Sequence, residues 1–268
     1  MSGVILAVMA AGSVCGLFIP GVYRDPTSVV AVLRGYDLVT LLVVVPALAL
    51  TVLTPWRRTR AGRLVWLSAL AYGVYTYAFY VFGTAFSPLF LVHVAAFGLC
   101  VYALAIGLAT LDVDQVAAGF HSRTPVRVVG ALLILLGTGL AGMWIVNALR
   151  FALTGVVPQE SALVLPSTLT HLGYVLDLAL FAPACAVAGV LLWRRRPWGY
   201  PLAAVMLLFG GAFQLCYLAA LAFQAWSDIP GATGFDPAEP VILAVFVIGT
   251  VLLWADLRPH RRPRGRQP

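Results

Sequence analysis

The residues of this chain whose types and spacing could do chemistry are polar or ionisable side chains set inside long apolar runs. Asp177 is the sharpest of them: His171, Tyr174 and Asp177 recur at three-residue steps, which on a helix keeps them on one drifting stripe. His93 falls near the start of another apolar run, and Asp37, Thr40, Tyr75, Tyr77, Tyr80, Asn147, Gln214, Tyr217 and Gln224 lie in or at the edges of others. An ionisable group at the centre of a bilayer costs roughly 2.5 kcal/mol or more, so each needs a partner or a water-filled space. A histidine and a carboxylate together can exchange a proton. The same groups, ringed by tyrosines and amides, can hold a small guest.

The elements that must position them are helices in a membrane. Hydrophobic residues make up 62% of the 268 residues and charged residues only 10%, against roughly a quarter charged in a soluble domain. Mean hydropathy is +0.96. This composition excludes a water-soluble fold and predicts an all-α integral membrane protein, a bundle of about eight transmembrane helices in one domain over 1–257. The apolar runs place them at about 3–23, 36–55, 64–84, 88–111, 128–149, 171–193, 201–225 and 239–257. The stretch 24–35 holds Val29, Val30, Val32 and Leu33 between charges and is expected as a short interfacial helix. The first run has no positive residue before it and is expected as a retained helix, not a cleaved signal.

All seventeen basic residues are arginine. Fourteen of them fall in one alternate set of connections: Arg57, Arg58, Arg60 and Arg63; Arg123 and Arg127; Arg194 to Arg196; and Arg258, Arg261, Arg262, Arg264 and Arg266. Only Arg24, Arg34 and Arg150 fall in the other. The net charge of +7 therefore reads as topology and not as a nucleic-acid surface, and it places both termini in the cytoplasm of a cell-membrane protein. Trp56, Trp66, Trp193 and Trp198 mark the inner interface and Trp226 the outer. The tail 258–268, rich in Arg and Pro, is expected to be a disordered basic segment.

An internal repeat is also suggested. Pro46 pairs with Pro183, Trp56 with Trp193, Arg57 and Arg58 with Arg194 and Arg195, Gly62 with Gly199, Gly73 with Gly210, and Tyr80 with Tyr217, all at one shift, 183 − 46 = 137. Positions 41 to 80 show eleven identities in forty under that shift. The pattern fits a tandem duplication of a four-helix unit, with repeats 1–127 and 128–257 related by an axis along the membrane normal. Its rival is chance alignment among helices rich in Ala, Leu, Val and Gly.

With that topology the candidate groups Asp177, His93, His171, Tyr174, Asp37, Tyr77, Tyr80, Asn147, Gln214 and Tyr217 all fall in the outer half. The leading expectation is a polar, aromatic-lined cavity open to the outer side that takes a small molecule or lipid-like ligand, in a transporter or sensor. Rival readings are an intramembrane enzyme acting on a lipid or quinone through His93 and Asp177, and a non-catalytic subunit of a membrane complex. Each residue also has a plainer role: Asp37 and Thr40 as a helix start, the tyrosines as a belt, His171 as a wetted surface residue, His93 with Asp177 as a structural pair, and Pro46 and Pro183 as kinks.

Catalytic and phosphate-binding signatures such as H-E-x-x-H or a Gly-rich loop are missing. The four cysteines lie in apolar runs without C-x-x-C spacing and read as small apolar residues. No metal and no cofactor is expected, and the histidines lack the paired spacing of a haem bundle. The lipid bilayer is the one partner the composition demands.

The runs Tyr36-Asp37-Leu-Val-Thr40, Tyr75-Thr-Tyr-Ala-Phe-Tyr80-Val-Phe-Gly83, Pro88-Leu-Phe-Leu-Val-His93, Asp177-Leu-Ala-Leu-Phe-Ala-Pro183 and Arg194-Arg-Arg-Pro-Trp198-Gly-Tyr resemble an uncharacterised family of bacterial multi-pass membrane proteins. The likeness spans roughly residues 36 to 220. That family has no assigned activity, so the resemblance implies a fold and no function. It does draw attention to Asp37 and Asp177, which lie inside the familiar stretches.

Overall fold

In the computed structural model, which describes residues 1–158, 162–163, 172–255 and 257, every regular element is helical. Eight long helices follow one another: α1 (Ser2–Phe18), α2 (Thr27–Leu53), α3 (Arg60–Phe82), α4 (Phe90–Ala109), α5 (Val126–Thr154), α6 (Leu172–Trp193), α7 (Gly199–Trp226) and α8 (Ala238–Trp254). Helices α2 to α7 are each long and apolar enough to cross a membrane. Helices α1 and α8 are apolar but have 17 residues each. At 1.5 Å per residue each covers about 26 Å, close to the hydrocarbon thickness.

Local chemistry sets the ends. Helix α1 stops at Phe18 because the residue before Pro20 is driven out of the helical region, and Gly21 takes a positive φ of 71° in the turn that follows. The Thr59 hydroxyl caps α3 by accepting the Gly62 N–H at 3.1 Å. Gly155, at φ 69°, closes α5 in the left-handed conformation that glycine adopts without penalty.

The structure corrects the reading of residues 24–35. They do not form a separate interfacial helix, since α2 runs unbroken from Thr27 to Leu53. Arg34 and Gly35 looked like a boundary, but Gly35 is buried against the α7 backbone: a Cβ there would lie 2.5 Å from the Ala220 nitrogen. Asp37 therefore sits well inside α2, ten residues beyond its first (37 − 27), and is not a helix cap.

Both membrane prolines are accommodated in one way. A proline lacks an N–H, and its ring clashes with the carbonyl four residues back. Here the helix widens just before it. Five-residue π-helical turns span Thr40–Val44 ahead of Pro46 and Asp177–Phe181 ahead of Pro183. The Val45 N–H reaches back to the Thr40 carbonyl, and the Ala182 N–H to the Asp177 carbonyl.

Two helices form the centre. In its most apolar window α3 is 67% buried and α7 50%, against 28–39% for the other four spans, and α3 packs on α7. Around them α2 packs on α7, α4 on α3, α8 on α7 and α6 on α5. Close approach relies on small residues. Gly130 and Gly189 face each other between α5 and α6, where an added Cβ would meet the opposing carbonyl at 2.7 and 2.6 Å. All four cysteines are free, with Cys100, Cys185 and Cys216 buried as small core residues.

The connections gather at two ends. At the arginine-rich end Trp66 Nε1 donates to Ser2 Oγ at 3.2 Å, Arg63 to the Thr110 carbonyl at 2.5 Å, and Arg195 to the Ser122 carbonyl at 3.4 Å. At the opposite end the Ala85 N–H donates to Asp25 Oδ1 at 2.8 Å and Gln224 Nε2 to the Ser28 carbonyl at 3.0 Å.

Gly35→Ala should lower the thermal unfolding midpoint in detergent, because the α2–α7 backbones must part; overpacking of this kind costs about 1–3 kcal/mol. Gly139→Ala, where an added Cβ meets nothing within 4 Å, should leave the midpoint unchanged.

Candidate functional site

The polar side chains of the half away from the arginine-rich end form two clusters, both hung on α3. In the first, Asp37 of α2 accepts the Tyr23 hydroxyl on Oδ2 at 2.6 Å and the Tyr80 hydroxyl on Oδ1 at 3.0 Å. Tyr80 also reaches the Leu33 carbonyl at 3.1 Å. Helix α1 closes the site through Gly16, where a Cβ would lie 2.0 Å from Asp37 Oδ2 and 2.3 Å from the Tyr23 hydroxyl. His93 of α4 lies against the phenols, its ring centroid 4.5 Å from Tyr80, 5.9 Å from Tyr77 and 6.3 Å from Tyr23. Asp37, His93, Tyr77 and Tyr80 are 3%, 2%, 3% and 2% exposed, so this cluster is sealed.

In the second cluster Asp177, the first residue of the α6 π-turn, accepts the Tyr75 hydroxyl on one oxygen and Trp144 Nε1 of α5 on the other, the latter at 2.8 Å. The Trp144 ring lies against Tyr174, tilted by 40° with centroids 4.1 Å apart. Tyr75 is itself wedged among aromatics, 4.6 Å from Phe213, 5.3 Å from Phe209, 5.6 Å from Phe79 and 6.1 Å from Phe181. Asp177 is 9% exposed, and Trp144 and Tyr174 are only half-buried beside it.

Between the clusters a shorter chain of polar contacts crosses the centre. Thr40 Oγ1 bonds the Tyr36 carbonyl at 2.8 Å and the Tyr72 hydroxyl at 2.6 Å, and Tyr72 lies 3.1 Å from Cys216 Sγ. Four tyrosines of α3 thus look in different directions: Tyr75 toward α6, Tyr72 toward α2 and α7, Tyr77 and Tyr80 toward α1, α2 and α4.

The remaining candidates lie elsewhere. Gln214 donates to the Glu239 carboxylate in the first turn of α8. The Tyr217 hydroxyl accepts the Ala162 N–H at 3.0 Å, and the fully buried Gln224 accepts the Leu163 N–H at 2.9 Å and donates to its carbonyl at 2.5 Å. Tyr217 and Gln224 therefore fasten the 162–163 strip to α7 at the end opposite the arginine-rich one. Asn147 is half-buried on α5. His171 lies outside the described residues.

His93 and Asp177 do not form the pair that the sequence invites. Asp177 spends both oxygens on Tyr75 and Trp144, while His93 belongs to the aromatic box around Asp37. Equal depth in two helices says nothing about which helices adjoin, and here α6 adjoins α3 and α5 whereas α4 adjoins α3 and α1. Tyr23 and Trp144 are the cluster residues that sequence reasoning does not single out. Tyr23 falls at the tail of the first apolar run. Trp144 carried a usable signal: an indole N–H in the middle of a span, away from either interface belt, needs an acceptor there.

Two surface clefts, of about 580 and 460 Å³, lie at the arginine-rich end, away from both aspartates. Among the described residues no group of three or more His, Cys, Asp or Glu could hold a metal ion.

Tyr80→Phe should destabilise the protein by about 1–3 kcal/mol, since it leaves one oxygen of a buried carboxylate short of a donor. Tyr102→Phe, at a tyrosine 69% exposed, should not. Thermal unfolding of both variants in one detergent checks this, and equal midpoints would show that Tyr80 does not hold Asp37.

Comparison with protein families, curated proteins and solved structures gave no match to this chain.

Proposed function

We propose that this chain is an eight-span protein of the cell membrane that binds a small molecule or lipid-like ligand from its outer side, as a transporter or sensor, with Asp177 as the principal contact. One observation carries the reading. Asp177 is a carboxylate in an apolar span, and the groups that hold it, a phenol and an indole N–H, are neutral. Each carboxylate oxygen can accept more than one hydrogen bond, so capacity is left for a further donor. The half-buried Trp144–Tyr174 pair beside it supplies an aromatic wall. A carboxylate next to aromatic faces suits a ligand that carries an ammonium group, through charge and cation–π attraction together.

Both termini are read as cytoplasmic on the strength of the arginine asymmetry. Helices α1 and α8 complete the eight spans; they are the two shortest, and each lies against a longer neighbour, α1 on α4 and α8 on α7.

A duplicated architecture is part of the reading, supported by more than the aligned residues. The two π-turns are offset by the same 137 residues as the prolines (177 − 40 and 181 − 44). Packing repeats in part: α3 lies on α4 as α7 on α8, and α1 on α4 as α5 on α8, with α3 against α7 at the proposed axis, whereas α2 packs on α7 far more extensively than α6 on α3. The halves would then differ in chemistry more than in scaffold. Thr40 occupies in the first π-turn the place of Asp177 in the second, and Asp37 corresponds to Tyr174. A ligand seated at Asp177 would therefore have no equivalent site in the first half.

The protein purified in mild detergent should carry a small molecule identifiable by mass spectrometry. Asp177→Ala and Trp144→Phe should each reduce its retention at least about tenfold, the loss of one charge-assisted contact of roughly 1.5 kcal/mol or more, while circular dichroism stays helical. Retention equal to wild type in both variants would overturn the assignment. For the topology, a membrane-impermeant maleimide should label Val156→Cys in intact cells and Arg58→Cys only after permeabilisation, in a background where the four native cysteines are alanine.

A further inference from the structure

We propose that the cleft of about 460 Å³ at the arginine-rich end is a binding site for the headgroup of an anionic phospholipid. It lies between the start of α1, the Pro55–Arg58 turn, the start of α3 and the end of α4, and is lined by Ser2, Arg57, Arg63, Trp66, Ile106 and Thr110, among others. Two guanidinium groups border it and, among the described residues, no carboxylate does. The site stands independently of any ligand at Asp177, since the two lie in opposite halves of the bundle.

Both arginines are held in place by neutral groups. The Arg57 guanidinium sits 5.6 Å from the centroid of the Trp66 ring, whose own N–H is used by Ser2 at 3.2 Å. Arg63 uses one terminal nitrogen on Thr110, at 2.5 Å to the carbonyl and 3.2 Å to the hydroxyl. Its other two nitrogens are left to meet a phosphate, for which the guanidinium fork is well shaped. Positive charge that is positioned but not neutralised is what a basic pocket for a lipid headgroup requires.

A lipid source, and not a free phosphate, is indicated by what adjoins the cleft. Trp66 lies near the start of a span, at the level where indoles favour the interface. Ile106, which lines the cleft, is 54% exposed and continues an outward row at four-residue spacing through Tyr102, 69% exposed, Gly98 and Val94. At Gly98 an added Cβ would meet nothing within 4 Å. This apolar row on α4 runs from the cleft toward mid-membrane, the course an acyl chain takes below its headgroup.

The test is native mass spectrometry of the full-length protein titrated with phosphatidylglycerol or phosphatidylcholine of matched chains. Wild type should retain phosphatidylglycerol in preference to phosphatidylcholine. The double variant Arg57→Gln with Arg63→Gln should bind phosphatidylglycerol about thirtyfold more weakly, from roughly 1 kcal/mol per juxtamembrane arginine. Arg57→Gln alone, at an exposed position where folding is not at stake, should lose about fivefold on the same basis. Arg123→Gln with Arg127→Gln removes the same charge from this end of the bundle but outside the cleft, and should change nothing. An equal loss in both double variants would reduce the effect to diffuse surface charge and overturn the site. So would full displacement of the lipid by millimolar inorganic phosphate, or wild-type affinity in Arg57→Gln.

Discussion

One constraint governs the half of this bundle away from its arginine-rich end: a carboxylate placed among apolar helices must be met by donors that travel with the fold. Helix α3 supplies them on two sides. Tyr80 reaches Asp37 and Tyr75 reaches Asp177, and the most buried span of the protein thereby ties α2 and α6 to itself through phenol–carboxylate bonds. The two sites are finished differently. Asp37 is sealed by Tyr23, by the bare backbone of Gly16 and by the His93 ring, whereas Asp177 is finished by the indole of Trp144, itself only half-buried. That difference is what motivates the proposal that Asp37 serves architecture and Asp177 meets a ligand.

The π-turns belong to the same constraint. Each proline removes one helical donor, and the wider turn before it re-pairs the backbone while swinging the first residue of the turn toward α3. In α2 that residue is Thr40, which meets Tyr72; in α6 it is Asp177, which meets Tyr75. The prolines therefore help place the polar side chains that face the centre.

Much of this was legible in the residues alone. Apolar runs pointed to each of the helices α1 to α8, six of which are long and apolar enough to cross a membrane. The depth of Asp177 and His93 followed from counting along those runs. Their partners did not follow, because which helices adjoin is decided by small-residue faces such as Gly130 on Gly189 and Gly35 on Ala220, which single-helix periodicity does not pair. Arg34 and Gly35 concealed the first part of α2 for the same reason: a glycine buried against a neighbouring backbone looks, in sequence, like a break. For the tyrosines the sequence leaves both a site and an interface belt open, and the structure favours the inward reading: Tyr75, Tyr77 and Tyr80 are each 3% exposed or less.

The claim that Asp177 meets a guest beside the Trp144–Tyr174 wall is tested most directly by a cryo-electron microscopy map of the protein in lipid nanodiscs. The account predicts density that belongs to neither protein nor bulk lipid tail, with a donor atom within about 3 Å of the Asp177 carboxylate. A map at comparable detail in which that carboxylate touches only Tyr75 and Trp144, with ordinary acyl chains covering the aromatic pair, would contradict it.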